Sequence, residues 1–309
     1  MRPVLAKTNA GAFPTQPITI LVGDARGGML DGAARAVGPA LSKVLGQPVL
    51  VENRAGAAAR TAQAATAKAK PDGYTLLLAG TTGLVLAPRL VPKASYTVDD
   101  FAGLGPVSET PLVIGVPASS RFQSFAELAA HAKAHPDAVR IGHAGNGTTS
   151  HLAILRLQQR LDARFAAVPY EGSAPAIAAL LAGNIDAVVD QLPNSFGQLR
   201  AGAVKPLAVT SLKRAADLPE TPTLNELGLK GFEVVTVAGL LAPAKTPPAT
   251  VRILADALQK VLDDPAVQAK LKSLGSEPRA LTPDAYDALL KQEDAAAAQM
   301  VKDGLLKGE

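Results

Sequence analysis

A chain of 309 residues, 48 % of them hydrophobic, is long enough to form two domains that each bury a core of their own. Its 31 lysines and arginines barely outnumber its 27 aspartates and glutamates and are scattered along the chain, which argues against a nucleic-acid-binding protein. The absence of cysteine excludes disulfides, thiolate catalysis and cysteine-ligated metal centres.

The first residues bear on where the protein acts. Residues 1–13 contain Arg2 and Lys7 but lack the continuous apolar stretch of a secretory signal peptide. Either the signal peptide has been removed or the chain is not exported. No apolar segment approaches the roughly 20 residues that a membrane-spanning helix requires, so we expect no membrane span.

The chain opens with alternating strands and helices. Residues 18–22 are apolar and β-branched, lie between Pro17 and Gly23, and predict a buried strand. A glycine-rich loop follows at 23–31, where Asp31 is expected to be the N-cap of an amphipathic helix. The elements predicted next are a strand at 48–52, a helix at 60–69, a strand at 74–78 and a polar loop at 80–83.

An extended segment at 104–116 leads to a second series of the same kind. Its predicted helices are 125–134, 152–161, 174–181 and 195–200, and its predicted strands are 140–144, 165–168, 186–190 and 206–210. A second extended segment at 234–242 precedes three helices at 247–262, 265–274 and 283–302, each with a proline in its first turn. We expect these last helices to fold back onto the first domain.

The alternation predicts an α/β protein with two doubly wound domains. Successive strands joined through helices form parallel sheets, whose ligands bind beyond the carboxyl ends of the strands. The two extended segments are expected to cross between the domains and to make a hinged clamshell. The predicted boundaries are 14–109 plus 237–309 for the first domain and 110–236 for the second, with the ligand cleft between them.

The most informative stretch is 140–151, Arg-Ile-Gly-His-Ala-Gly-Asn-Gly-Thr-Thr-Ser-His. Its three glycines let the backbone approach a ligand, and its hydroxyl residues supply an N-cap for the following helix. The start of that helix favours a bound carboxylate, phosphate or sulfate. On spacing alone, a simple turn is an equally good interpretation. The glycines match neither the dinucleotide fingerprint nor the P-loop.

Other polar residues support weaker hypotheses. His131 and His135 are four residues apart on one predicted helix, but no third ligand is near, so surface histidines are the better interpretation. His143 and His151 flank the glycine loop, where either is placed to contact a ligand, yet no nucleophile accompanies them and we do not predict a hydrolase. Asp190 ends a strand at the expected rim, where it either receives an amine or hydroxyl of a ligand or caps the next turn.

Several motifs along the chain occur together in one known protein family. They are Pro-Thr-Gln-Pro-Ile at 14–18, Gly-Gly at 27–28 with Asp31, Gly-Gln-Pro-Val at 46–49, Val-Glu-Asn-Arg-Ala-Gly at 51–56, Pro-Asp-Gly-Tyr-Thr-Leu-Leu at 71–77, Gly-Asn-Gly-Thr at 145–148, Val-Pro-Tyr-Glu-Gly-Ser-Ala-Pro at 168–175, Leu-Ala-Val-Thr-Ser at 207–211 and Gly-Leu-Leu-Ala-Pro at 239–243. Together they resemble the Bug-type solute-binding proteins of tripartite tricarboxylate transporters. The resemblance spans nearly the whole chain.

The resemblance implies a two-domain periplasmic-binding fold, of the type II kind, that captures a small organic acid between its domains. Backbone and hydroxyl groups of the first and fourth strand-to-helix loops would hold the ligand carboxylate. The implied partners are membrane subunits of a tripartite transporter or, as the alternative, a membrane signalling protein that senses the same ligand. It further implies a periplasmic protein. An enzyme that uses the cleft between the domains is disfavoured, because no set of acid, base and nucleophile can be assembled from the sequence. We expect a monomer without cofactor or metal.

The chain departs from the family in its first loop. Gly23, Asp24, Arg26 and Leu30 stand where the family usually has a proline, an aromatic residue, a second proline and a hydroxyl residue. We hypothesise that Arg26 gives a ligand carboxylate a direct charged contact, with an exposed ion pair to Asp24 as the alternative. The residues expected to line the site are Ala25, Arg26, Gly27, Gly28, Asp31, Thr81, Thr82, Gly145, Asn146, Gly147, Thr148, Ser150, Tyr170, Gly172, Ser173 and Asp190.

Overall fold

The computed structural model describes residues 13–56, 59–90 and 95–304. Its strands are β1 Ile18–Val22, β2 Val49–Asn53, β3 Thr75–Gly80, β4 Phe101–Pro117, β5 Arg140–His143, β6 Ala166–Pro169, β7 Ala187–Gln191, β8 Val204–Val209, β9 Val235–Pro243 and β10 Glu277–Pro278. Its helices are α1 Met29–Leu45, α2 Arg60–Ala67, α3 Thr81–Leu90, α4 Phe125–Ala134, α5 Thr149–Leu161, α6 Ser173–Leu181, α7 Leu192–Arg200, α8 Pro248–Leu262, α9 Pro265–Ser273 and α10 Pro283–Lys302. None of the helices in these ranges is long and apolar enough to cross a membrane.

The strands follow one another in the order β2-β1-β3-β9-β4-β7-β5-β6, and β8 and β10 also pair with β4. β1 runs parallel to β2 and β3, and β5 runs parallel to β6 and β7. The two crossing strands, β4 and β9, run antiparallel to each other and to the strands beside them. The α/β architecture with two parallel units and two crossing strands is therefore confirmed.

β4 belongs to both parts of the sheet. Residues 101–111 pair with β9, whereas residues 112–117 pair with β7 and β8. We call the part with β1 to β3, α1 to α3 and α8 to α10 the first lobe, and the part with β5 to β8 and α4 to α7 the second lobe. The domain boundaries given above stay a prediction.

Each lobe buries an apolar core on both faces of its sheet. In the first lobe Ile20 and Leu78 pack against α1 and α8, while Leu77 on the opposite face packs near Tyr286 of α10. In the second lobe Ile114 and Val189 lie in a separate cluster. Strands covered on both faces explain the continuous apolar runs in the sequence.

Two local predictions are wrong. Asp31 is not the N-cap of α1, because the helix begins at Met29 with Gly28 at the cap and Asp31 lies in its first turn. Residues 80–83 do not form a loop, because β3 ends at Gly80 and α3 starts at the next residue. The structure does not describe residues 1–12, 57–58, 91–94 and 305–309. Predictions about these residues, and the prediction of a removed signal peptide, therefore lie outside the described residues.

Candidate functional site

Both glycine-rich loops follow the carboxyl ends of parallel strands. The first glycine loop, residues 23–28, leaves β1, and the second glycine loop, residues 144–148, leaves β5. β7 runs parallel to β5, so Asp190 near its carboxyl end lies at the same edge as the second glycine loop. Ligands of open α/β sheets bind beyond this edge.

The first glycine loop folds back over the start of α1. The Asp24 carboxylate accepts the backbone N–H of Leu30 at 2.9 Å, and the Asp31 carboxylate accepts that of Gly27 at 2.9 Å. A Cβ atom on Gly28 would lie 2.8 Å from the Asp24 carboxylate, so glycine is needed for this close approach. The N-terminal end of α1 therefore receives a carboxylate from its own chain, as the helix dipole favours.

Asp31 is anchored within the first lobe. Its carboxylate accepts hydrogen bonds from the Arg35 side chain and from the Asn53 amide, each at 2.9 Å. Burial acts to raise the pKa of Asp31, but these bonds and the one from Gly27 outweigh it, and the pKa lies below its usual value. Asp31 is thus an ionised residue that shapes the loop.

A second polar cluster surrounds Asp190 in the other lobe. Its carboxylate accepts the hydroxyl of Ser173 at 2.5 Å and that of Ser195 at 3.1 Å. The amide of Asn194 donates to the Ser173 hydroxyl at 2.8 Å. Ser173 is the first residue of α6, and Asn194 lies in the first turn of α7, so two helix starts meet at this carboxylate.

Asn194 joins the two clusters across the cleft. Its side-chain oxygen accepts the backbone N–H of Met29, the first residue of α1, at 3.0 Å. Its amide nitrogen at the same time contacts Ser173 and Asp190. One amide side chain therefore couples the first glycine loop to the second lobe. Asn194 is missing from the predicted site, although its place four residues after Asp190, at the start of a helix, is a usable signal.

The two carboxylates facing this junction have unusual acidities. Burial raises the pKa of Asp24 to about 6, and the nearby charges of Asp190 and Asp31 add to the shift. Burial also raises the pKa of Asp190 to about 6, although its hydroxyl and amide partners oppose the rise. Neither carboxylate forms an ion pair with a lysine, arginine or histidine within the described ranges. The junction is therefore rich in negative charge.

The second glycine loop stabilises itself through hydroxyls. Thr148 is the N-cap of α5 and also donates its hydroxyl to the carbonyl of Gly145 at 2.7 Å. The Ser150 hydroxyl accepts the N–H of Ala144 at 3.1 Å. Gly145 and Gly147 both have positive φ, at 121° and 79°, which explains why glycine occupies both places. The predicted cap at the start of α5 is confirmed.

Two stacked histidines lie beside this loop. The rings of His143 and His151 are 4.6 Å apart and nearly parallel, and the N–H of Gly147 donates to Nδ1 of His151 at 3.2 Å. Burial lowers the pKa of His143 to about 3, assisted by the neighbouring His151, and lowers that of His151 to about 4. Both imidazoles are therefore neutral at pH 7.

The second glycine loop also touches the first lobe. A Cβ atom on Gly147 would lie 3.0 Å from Cα of Ala87 and 3.2 Å from a methyl group of Leu90, both in α3. Nearby, Leu152 of α5 joins Leu86 of α3 in an apolar cluster that bridges the lobes. The lobes therefore meet at two places, one polar at Asn194 and one apolar at α3.

Several predicted site residues lie away from the polar junction. Thr81 is buried and bonds to the carbonyl of Val237 and the hydroxyl of Tyr286. Thr82 bonds to Glu293 and lines a separate cavity of about 120 Å³ between α3, α5 and α10. The ring of Tyr170 packs against Gly142. Their roles in binding stay predictions.

The remaining predicted residues occupy the loop surfaces. Ala25 and Arg26 are exposed, and the ion pair between Arg26 and Asp24 that the sequence allowed is not formed. Gly172 precedes α6 with a φ of 118°. Asn146 lies between the two positive-φ glycines of the second loop. Across residues 13–56, 59–90 and 95–304, no group of three or more histidines and acids is placed to hold a metal ion.

Comparison with known proteins identifies the family of this chain. The chain matches the tripartite tricarboxylate transporter family receptor, TctC, over residues 33–305. The chain belongs to this receptor family. One relative, a UPF0065 protein in the TAR-I ttuE-ttuC' intergenic region of Agrobacterium vitis, is 38 % identical over 296 residues, which cover 94 % of this chain and 85 % of the relative.

Solved structures of similar proteins have the same fold as this receptor. The periplasmic binding protein BugD is 36 % identical, with a TM-score of 0.85 and coverage of 96 % of this chain and 100 % of BugD. MatC (Rpa3494) from Rhodopseudomonas palustris, solved with bound malate, is 32 % identical, with a TM-score of 0.84 and coverage of 94 % and 100 %. The receptor is thus a Bug-type solute-binding protein with the α/β clamshell fold of periplasmic binding proteins.

Proposed function

We propose that this receptor binds a small carboxylate between its lobes in the periplasm and presents it, chemically unchanged, to the membrane subunits of a tripartite transporter. The observation that carries the proposal is the junction at Asn194, where α1 of one lobe meets α6 and α7 of the other through hydrogen bonds. The start of α5 at the second glycine loop favours an anion, and the malate-bound relative supports a carboxylate as the ligand class.

Binding to the folded state raises its stability by mass action. A ligand present at about 100 times its Kd stabilises the protein by about 2.7 kcal/mol. We therefore expect a rise in melting temperature with at least one acid from a panel of malate, succinate, glutarate, citrate, aspartate, glutamate and benzoate. Succinamide, which has the length of succinate without its charge, is the matched control.

The panel is followed by calorimetric titration of the acid with the largest effect. Saturable one-to-one binding, with the acid recovered unaltered by NMR, supports a binding protein. Stabilisation by succinamide equal to that by succinate would contradict carboxylate recognition, and conversion of the acid would contradict a receptor role. Fractionation of cells that express the protein from its natural gene tests the periplasmic location.

A further inference from the structure

The second glycine loop engages its own polar groups. Thr148 gives the carbonyl of Gly145 two donors, its hydroxyl at 2.7 Å and its backbone N–H at 3.3 Å. The N–H of Gly147 donates to Nδ1 of His151 at 3.2 Å. The Thr148 hydroxyl and the Gly147 N–H, two of the groups that the family resemblance assigns to a ligand carboxylate, are therefore already engaged.

His143, at the base of this loop, is the exception. The residue is 1 % exposed, and its Nε2 atom has no hydrogen-bond partner. Among the residues that the structure describes, only the hydroxyls of Ser108 and Thr246 share this state, and neither follows the carboxyl end of a parallel strand. A buried polar atom without a partner has lost its hydrogen bonds to water without replacement. A bound group that pairs with Nε2 would remove this cost.

The hydrogen bonds around the ring assign a donor to Nε2. Nδ1 of His143 lies 3.3 Å from the backbone nitrogen of Gly145 and 3.1 Å from its carbonyl oxygen. That carbonyl already has two donors from Thr148, so the tautomer that satisfies Gly145 fully has Nδ1 as the acceptor of its N–H. Burial lowers the pKa of His143 to about 3, and the ring is neutral at pH 7. The single ring proton is therefore on Nε2, as a buried donor without an acceptor.

The end of β5 brings this donor to the start of α5. β5 ends at His143, at the edge beyond which ligands of open α/β sheets bind. The ring stacks on that of His151, in the first turn of α5, with the ring centres 4.6 Å apart. Nδ1 is turned towards Gly145, so Nε2 lies on the other side of the ring. An unpaired donor and a helix start that favours anions therefore lie side by side.

We propose that His143 is a ligand-binding residue and that its Nε2–H donates a hydrogen bond to the ligand carboxylate at the start of α5. This inference rests on the proposed function and deepens it. The second glycine loop packs against Ala87 of α3 in the first lobe, so the carboxylate enters when the lobes separate. One carboxylate oxygen then accepts the Nε2–H, and its charge makes this bond stronger than a bond to an amide oxygen. His143 in this way favours an acid over its amide.

Two substitutions separate the two ring nitrogens. His143→Asn keeps an acceptor near the position of Nδ1 and lacks Nε2, whereas His143→Gln keeps an N–H donor near Nε2 and lacks the acceptor for Gly145. Each variant is titrated calorimetrically with malate, succinate, glutarate, citrate, aspartate, glutamate and benzoate. For the acid that the wild-type protein binds most tightly, His143→Asn should lower the affinity about tenfold or more and His143→Gln less than about threefold. His135→Asn, at an exposed histidine that ends α4, is the matched control and should keep the wild-type affinity.

The reverse order, with affinity kept in His143→Asn and lost in His143→Gln, would show that the ring only holds Gly145 and would overturn the inference. Nitrogen NMR of the isotope-labelled wild-type protein is a second measurement that depends on no variant. It should show the proton of His143 on Nε2, and saturation with the same acid should shift the Nε2 resonance. An Nε2 resonance that does not move at saturation would also overturn the contact. Both of these outcomes leave the proposed function standing, whereas failure of every acid to bind overturns the proposed function and this inference with it.

Discussion

The two glycine loops share one sequence plan, strand then glycines then helix, and the structure uses them differently. At the first, side-chain oxygens of Asp24 and Asn194 occupy the N–H groups of Leu30 and Met29. At the second, the loop's own hydroxyls and imidazoles hold its backbone, and Gly147 packs against α3. One loop meets the opposite lobe through polar contacts and the other through close steric fit.

The difference teaches what a loop pattern can predict. Glycine spacing fixes where the backbone turns and which end of a helix it exposes. It does not fix which oxygen reaches the exposed N–H groups, because that oxygen comes from a side chain six residues away, Asp24 for Leu30, or from the other lobe, Asn194 for Met29.

The largest expected effect comes from breaking the steric fit. Gly147→Val places a β-branched side chain at a φ of 79°, against the backbone of Ala87. The backbone strain costs about 1 to 3 kcal/mol, and the steric clash adds to it. Affinity for the best panel acid should therefore fall about a hundredfold or more, which corresponds to about 2.7 kcal/mol of binding free energy. Calorimetric titration measures the loss.

The control variant Gly183→Val separates the effect of backbone strain from that of the steric clash. Gly183 has a φ of 76°, and no atom lies within 4 Å of an added Cβ there. This control should lower the melting temperature by a similar amount while its ligand affinity stays at the wild-type value. Equal affinity losses in the two variants would show that strain alone, rather than the contact between Gly147 and α3, is responsible.

The acids and the histidines should give opposite pH dependences of stability. Asp24 has a folded pKa of about 6 against an ordinary value of 3.8, so it stabilises the folded state below pH 4 and that contribution is lost as pH rises through 6. His151 has a folded pKa of about 4 against 6.5, so its contribution is present above pH 6.5 and is lost as pH falls towards 4.

Two variants test these signs by urea unfolding at pH 7.5 and pH 4.5. Relative to wild type, the unfolding free energy of Asp24→Asn should fall between the higher and the lower pH, because the variant lacks the gain on protonation. That of His151→Gln should rise over the same interval. Each change is on the order of 2 kcal/mol. Changes of the same sign in both variants would contradict either the raised pKa of Asp24 or the lowered pKa of His151.

Much of the fold could be predicted from the sequence because local patterns decide it. The apolar run 18–22 and the proline at 283 give β1 and the start of α10 directly. The start of α3 could not be predicted, because Thr81, Thr82 and Gly83 favour a loop locally. Thr81, the first residue of α3, is fixed instead by bonds of its hydroxyl to Val237 and Tyr286, which are distant in sequence.

The candidate site was predictable in position and less so in chemistry. Strand ends located Asp190 and Ser173, which the structure brings together at 2.5 Å. Asn194 was missed because the predicted helix began at 195, whereas α7 begins at Leu192 and includes Asn194 in its first turn. Asp24 was treated as a partner for Arg26, although burial and the start of α1 draw its carboxylate inward.

A smaller effect is expected where the polar contact between the lobes is removed. Asn194→Ala deletes the acceptor for the Met29 N–H, and a typical hydrogen bond contributes about 1 kcal/mol. Affinity for the best panel acid should fall about fivefold. The control is Asn225→Ala, which removes a similar 2.9 Å bond to the Gly231 N–H within the second lobe and should leave affinity unchanged. Unchanged affinity in Asn194→Ala would remove this bond from the closure of the cleft.

The smallest effect is expected at Arg26, the exposed residue of the first glycine loop. Its guanidinium can reach a ligand carboxylate only through water-exposed space, where an ion pair contributes at most about 1 kcal/mol. Arg26→Ala should therefore weaken binding of the best panel acid less than about fivefold, and the loss should shrink in 0.5 M salt because exposed charges are screened. Lys43→Ala, which removes a charge from the last turn of α1, is the matched control. A salt-insensitive loss of tenfold or more would instead establish the direct, desolvated contact first hypothesised for Arg26, and the first glycine loop would then hold the ligand carboxylate through a side chain.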